Sequence, residues 1–136
     1  MKTERITCPK CNRSILSLNS YHYCKQVDID ELFLRKSDEV VLVFDRLLEY
    51  LSSYENVKIS ATKNCIVFVR NKTFIVAKPM MKCLEIKFYS NKPIDDEELY
   101  KCHLWISKYE SIIRIENESQ LKLKHFQYFK NSYLIS

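Results

Sequence analysis

The sequence predicts an α+β fold in which an antiparallel β-sheet is flanked by an N-terminal and a C-terminal helix. Three observations carry this. An apolar stripe with helical spacing runs through about residues 38–53, the periodicity changes to that of strands from residue 57, and helical spacing returns near the end of the chain. The 136 residues suit one ordinary domain, by the usual size of about 100–200 residues. With 46% hydrophobic and 29% charged residues, the composition is that of a globular chain with one core.

Asp28-Ile29-Asp30-Glu31-Leu32-Phe33 reads as a short helical turn with carboxylates near its start. Ser37 then has the chemistry of an N-cap, with Asp38 and Glu39 in the first turn of the helix it opens. Val40, Phe44, Leu47, Leu48 and Leu51 form the buried stripe, while Asp38, Glu39, Asp45, Arg46 and Glu49 fall on the solvated side. Val57-Lys58-Ile59 begins a strand. Asn64 to Arg70 and Thr73 to Lys78 form a hairpin around Asn71-Lys72, where Asn tolerates the backbone that tight turns demand. Pro79-Met80-Met81 breaks the pattern, and Leu84, Ile86 and Phe88 then alternate with Cys83, Glu85, Lys87 and Tyr89 as a half-buried strand. Pro93 to Glu98 is a polar connection. Tyr100 to Ser107 and Ser111 to Glu116 are two further strands. Asn117 with Gln120 resembles a capping box, so a helix is expected to follow with Leu123, Phe126, Phe129 or Lys130, and Tyr133 on one side. His125 is expected at the surface or half-buried on that helix.

Several function classes are excluded outright. The chain has no glycine, which removes glycine-rich phosphate loops, dinucleotide fingerprints and nucleophile elbows. No apolar run has the length of a membrane span, and Met1-Lys2-Thr3-Glu4-Arg5 leads into Cys8 instead of an apolar leader, so a soluble, cytoplasmic protein without membrane contact is expected. The net charge of +5 is unevenly spread: residues 56–92 carry 8 basic side chains and 1 acidic one, and residues 27–55 carry 3 and 8. Such basic blocks attract polyanions. Of the 22 basic residues 16 are Lys, which favours phosphate contact over base readout, because it is the Arg fork that pairs bidentately with guanine. Lys63, Arg70, Lys78 and Lys87 are the candidate anion or nucleic-acid contacts, provided that the fold brings them to one surface.

The cysteines fall into two groups. Cys65, Cys83 and Cys102 sit in apolar stretches and read as small buried hydrophobes. Cys8-Pro9-Lys10-Cys11 is followed by His22-Tyr23-Cys24, giving C-x2-C-x10-H-x-C. Zinc takes four thiolate or imidazole ligands at tetrahedral corners. Pro9 pre-sets a turn that brings Cys8 and Cys11 round one point, and the i, i+2 spacing of His22 and Cys24 puts both on one face of an extended segment. Asn12 stands where such knuckles often need a positive φ. The four side chains would fill a closed, structural Zn2+ shell in a zinc-knuckle segment over residues 1–26, ahead of an α+β domain over 27–136. The competing reading is a pair of free thiols and an unrelated histidine.

These features resemble a family of small bacterial proteins known only as a domain of unknown function. Its members join a Cys-x2-Cys…His-x-Cys N-terminus to a compact α+β domain, and a related domain stands behind predicted endonuclease-like segments. The similar stretches are His22-Tyr23-Cys24, Lys36-Ser37-x-Glu39-Val40, Phe44-Asp45-Arg46-Leu47-Leu48, Thr62-Lys63, Ile66, Phe68, Phe74, Leu84, Phe88 and Tyr128-Phe129-Lys130-Asn131-Ser132-Tyr133. The resemblance implies the fold and the zinc ligands, and no reaction. It also implies a histidine on the penultimate strand, and alignment of that strand with Ser111, Ile112 and Ile113 leaves the histidine missing here. Lys63 matches a recurring Thr-Lys pair at a strand start.

The function expected is a zinc-stabilised binding module that touches nucleic acid through its basic residues. The alternative is a protein-interaction or accessory domain with a purely structural zinc. An enzyme is the least supported reading. Its only available pair is Lys63 with Glu85, with no nucleophile–base pair, no open metal position and no glycine loop.

Overall fold

Ser37 starts the long helix as its chemistry dictates. Its Oγ accepts the Val40 N–H at 3.3 Å, and Asp38 and Glu39 occupy the first turn. In this computed structural model the described residues are 29–136, together with the short strands β1 (Ile6–Thr7) and β2 (Ser14–Ile15). The expected ligands Cys8, Cys11, His22 and Cys24, and the expected boundary between 26 and 27, lie outside the described residues. β1 and β2 pair antiparallel, Thr7 opposite Ser14. Next come α1 (Ile29–Leu32) and α2 (Asp38–Leu51), then strands β3 (Lys58–Ala61), β4 (Ile66–Val69), β5 (Thr73–Pro79), β6 (Leu84–Ser90), β7 (Lys101–Trp105) and β8 (Lys108–Ile115). A 3-10 turn over Glu118–Gln120 and α3 (Leu123–Ile135) close the chain.

β3 to β8 form one antiparallel sheet in the order β3-β4-β5-β6-β8-β7. This is the predicted α+β architecture, with a long helix before the sheet and another after it. Because β7 lies beyond β8, the connection 91–100 must cross from β6 to the far edge. It does so over the helix side, where Ile94 and Leu99 pack on the core. The period-2 alternation of each strand sends Ile66, Phe68, Ile75, Ala77, Leu84, Ile86, Phe88, Ile113 and Ile115 to one face. Val40, Val43, Phe44, Leu47 and Leu51 of α2 and Phe126 and Phe129 of α3 cover that face, and Ile29 and Leu32 of α1 join them. Aromatic rings tie the layers: Phe44 meets Phe68 at 6.3 Å, and Phe129 meets Phe88 edge-on at 5.6 Å. Among the described residues no helix is long and apolar enough to cross a membrane.

Several local expectations are corrected. The β4–β5 connection is not a two-residue Asn71-Lys72 turn: Val69 pairs with Thr73, and Arg70, Asn71 and Lys72 all lie in the loop. The register shifts here, since Phe68 pairs with Ile75 and leaves Phe74 as an extra residue. Such a bulge breaks the alternation, and Phe74 and Ile75 are both fully buried. Asn117 caps the 3-10 turn and not α3, its Oδ1 accepting from the Ser119 N–H at 3.1 Å. The N-cap of α3 is Lys122, and His125 at the third helical position reaches back to it, its Nδ1 accepting the Lys122 N–H at 3.0 Å. Leu123 is 87% exposed and not on the buried side, whereas His125 is 1% exposed and not at the surface. Cys65 and Cys83 are half-buried and Cys102 is exposed, because the first two flank turns and the third lies on the edge strand. The penultimate strand is β7 and it carries His103; Ser111, Ile112 and Ile113 belong to the last strand, β8.

The bulge also opens the neighbouring ladder. β5–β6 pairing ends at Ile75 with Phe88. One step further, Ser132 of α3 inserts its hydroxyl, which donates to the Phe74 carbonyl at 2.6 Å and accepts the Tyr89 N–H at 2.9 Å. One side chain thus replaces a missing ladder bond and fastens α3 to the sheet. Ser132→Ala is expected to leave both backbone groups unpaired and to lower stability by about 1–3 kcal/mol. Urea unfolding measures it, and an unchanged midpoint would refute the splice.

Candidate functional site: the helix-free face of the sheet

The alternation that buries one face exposes the other, and that face selects cations. Registers place Lys58 on β3, Lys78 on β5, Glu85 and Lys87 on β6, Glu110 and Arg114 on β8, and Lys101 and His103 on β7, all on the side away from the helices; Lys108, at the start of β8, turns its amine to the Ile135 carbonyl of α3. Apart from His103, the side chains on this face are five basic and two acidic ones. Val67, Val76, Ile112 and Tyr89 lie between them, half-buried.

The two carboxylates are engaged. Glu110, with only 10% of its side chain exposed, lies 3.5 Å from Lys87 Nζ and 3.4 Å from His103 Nε2. Glu85 accepts from Arg114 Nε at 3.3 Å, and the Arg114 guanidinium stacks 3.7 Å from the Tyr100 ring centre. Lys58, Lys78 and Lys101 have no carboxylate partner among the described residues. Tyr89 is pushed up to about 12, first by burial and then by the charge of Glu110. Burial likewise pushes the Cys65 thiol up, against the pull of Lys78 and Lys87.

Of the four expected contacts the structure brings together two. Lys78 and Lys87 sit on adjacent strands of this face. Lys63 is exposed in the β3–β4 turn, which Thr62 closes by accepting the Cys65 N–H at 3.2 Å. Cys65, in the same turn, feels the charge of Lys78, so this turn stands at the Lys78 end of the sheet. Arg70 is elsewhere. Its guanidinium lies 4.4 Å from the Tyr133 ring centre and donates to the Tyr133 carbonyl at 3.4 Å, which spends it on the C-terminal end of α3. Lys63 and Glu85 do not meet as a pair, because Arg114 holds Glu85. Lys58, Lys101 and Arg114 were missed. For Lys58 and Arg114 the signal was present in the alternation with Ile59, Ala61, Ile113 and Ile115, once those positions are set inward; Lys101 is placed by its pairing with Ile112.

A second titratable cluster joins the β6–β7 connection to the start of α3. Asp96 Oδ1 accepts the Glu98 N–H at 3.0 Å and Lys124 Nζ at 3.2 Å, and Oδ2 accepts the Tyr128 hydroxyl at 2.8 Å. Glu98 pairs with Lys122 and, at 3.0 Å, with Lys124. Its other neighbour is His125 Nε2 at 3.3 Å, which makes no hydrogen bond of good geometry among the described residues. Burial lowers the His125 pKa. With no acidic residue of its own in the first turn, α3 receives negative charge at its N-terminus from Asp96 and Glu98. Among the described residues no group of three or more His, Cys, Asp or Glu side chains is arranged to hold a metal.

The family model for a domain of unknown function, DUF5655, matches residues 29–136. The chain belongs to the DUF5655 family. That span begins at α1 and ends with α3, so the DUF5655 match takes in the whole six-stranded sheet and both faces described above. No curated protein and no solved structure matches the chain.

The Asp96 cluster yields a pH dependence. Hydrogen bonding, first from the Glu98 N–H, holds the Asp96 carboxyl at about 2, below its ordinary 3.8. A depressed acid contributes stability that is present above its unfolded value and is lost as pH falls through the folded value. Asp96→Asn is therefore expected to lower stability at neutral pH by about 1–3 kcal/mol, and its deficit to shrink between about pH 4 and pH 2. Urea midpoints across that range check it, and a deficit independent of pH would contradict it.

Proposed function

We propose that this chain is a non-catalytic binding module that receives a polyanion, nucleic acid in the first instance, on the helix-free face of its sheet. The observation that supports this is segregation: five cations stand against two carboxylates on one side of one sheet, and both carboxylates are engaged. Lys78, Lys58 and Lys101 are left to answer phosphates. Lysines on a flat sheet supply position and affinity along a backbone without reading base edges. Lys63, at the Lys78 end, extends the surface, and Arg70 takes no part in it.

Affinity from such a surface falls steeply with salt, because each phosphate contact releases counterions. In a fluorescence-anisotropy titration, Lys78→Gln with Lys101→Gln is expected to weaken binding to all sequences alike and to reduce the salt slope by about 2. A chain that retains neither DNA nor RNA at low salt overturns the reading. Protein docking would then take its place, on the edge strand β7 where Leu104 is 61% exposed and the adjoining Ile106 84%.

The second part of the proposal is a structural zinc held by Cys8, Cys11, His22 and Cys24. Beyond their spacing, β1–β2 pairing supports it. Thr7 and Ser14 are partners, so the two strands on either side of Cys8 and Cys11 in the sequence stand about 4.5–5.5 Å apart there. A closed thiolate–imidazole shell would supply folding energy to a segment with few apolar residues, about 10–16 kcal/mol in small zinc domains. Elemental assay of unchelated protein is expected to find one zinc per chain, and Cys24→Ser to lose it. Zinc-free protein, or a full complement in the Ser variant, would refute the assignment.

A further inference from the structure

The face described above ends in a cavity that its summed charge does not explain. Between the β4–β5 loop and the β7–β8 turn lies a space of about 300 Å³ lined by Lys72, Thr73, Tyr89, Ile106, Ser107 and Lys108. Two of the six carry positive charge, three carry hydroxyls, one is apolar and none is acidic. We propose that this cavity is an oxyanion site for a phosphate group, with Lys72 and Lys108 supplying charge and Thr73, Ser107 and Tyr89 supplying hydroxyl donors. It stands apart from the broad polyanion surface, because it needs a shaped cavity and not a sum of charges.

The geometry has identifiable causes. The bulge at Phe74 and the Ser132 splice end β5–β6 pairing at Ile75 and Phe88, so Thr73 and Tyr89 flank an opened ladder. On the other side, Trp105 pairs with Lys108, which leaves Ile106-Ser107 as a two-residue turn. Ile106 has φ 55°, in the left-handed region. A β-branched residue is strained there, by about 1–3 kcal/mol. The apolar wall of the cavity is thus a residue that its own backbone preference would not place there.

The charges point the same way. Lys108 Nζ donates to the Ile135 carbonyl at 3.0 Å, which uses one of its three donors. Its pKa is lowered, first by burial and then by the charge of Lys72. Two cations repel across this space, and an anion between them would relieve both. The carboxylate acting on the cavity wall is Glu110, which raises Tyr89 and is itself held by Lys87 and His103. Tyr89 therefore stays protonated at neutral pH and can donate. Phosphate is the anion that suits this set, since its oxygens accept from several donors at once.

The phosphate could belong to a nucleic-acid backbone or to a small phosphate monoester. Titrating the full chain with inorganic phosphate at constant ionic strength, followed by amide NMR shifts, tests the site. Saturable shifts are expected at Thr73, Ile106, Ser107 and Lys108. The exposed Lys72→Gln is expected to weaken them about tenfold or more, and Ser107→Ala to weaken them less. No saturable shift, or the same curve in Lys72→Gln, overturns the proposal. In a second arm, a short single-stranded oligonucleotide that competes with phosphate identifies a backbone source, and competition by a nucleoside monophosphate alone identifies a free monoester. A chain that retains no nucleic acid yet shows the phosphate shifts loses the surface reading and keeps this site. A chain that retains nucleic acid without those shifts keeps the surface and loses this site.

Discussion

One hydroxyl decides how the two layers of this protein meet. Phe74 is an extra residue in β5, and an extra residue leaves backbone groups without ladder partners. Buried backbone groups must find partners, and Ser132 serves a carbonyl on β5 and an N–H on β6 at once. The consequence is geometric. α3 is held where Phe129 reaches Phe88 and Tyr133 reaches Phe74, at 5.6 and 5.4 Å. Arg70 then satisfies a carbonyl at the last turn of the same helix. An irregularity in a strand has become the anchor of a helix, and the sheet beyond it is left open.

That one-sided covering sorts the charges. A strand offers alternate residues to opposite faces, and with three helices on one face no lysine can be placed there without burial. The lysine-rich stretch from 56 to 92 must therefore send its strand cations to the other face, and Lys58, Lys78 and Lys87 all go there. The two carboxylates on that face sit where neighbouring strands already bring cations, Glu85 opposite Arg114 and Glu110 beside Lys87. Those pairings leave the unpaired lysines as the source of the face's field.

Periodicity made much of the fold legible. The Val40–Leu51 stripe, the Ser37 cap and the alternation of Leu84, Ile86 and Phe88 each have one physical reading, and the helix and strand follow. What escaped were features that depend on a partner distant in sequence. Nothing local marks Phe74 as a bulge: it reads as one more apolar strand residue until α3 arrives with Ser132. His125 reads as a polar helix residue because nothing local to α3 shows its burial or its contact with Glu98, which comes from a connection more than twenty residues earlier. Arg70 reads as a free cation because its acceptor is a carbonyl 63 positions away. Among the site residues, Lys78, Lys87 and Arg114 could be placed on one face by counting, whereas Lys101 needed the β7–β8 register.

The absence of glycine ties these observations together. A chain without it must still reverse direction, and among the described residues Arg35, Asn56 and Ile106 take the positive φ. Asn accepts that conformation at low cost. Ile does not, and a turn with a bulky β-branched residue at this position is the least stable way to join β7 and β8. Such strain persists where neighbours over-determine the backbone. Lys108, the first residue of β8, is tied to the Ile135 carbonyl at the end of α3, and α3 is in turn fixed by Ser132. The turn is therefore set by the same helix that closes over the opened β5–β6 ladder, and the strained residue and Lys108 line one cavity.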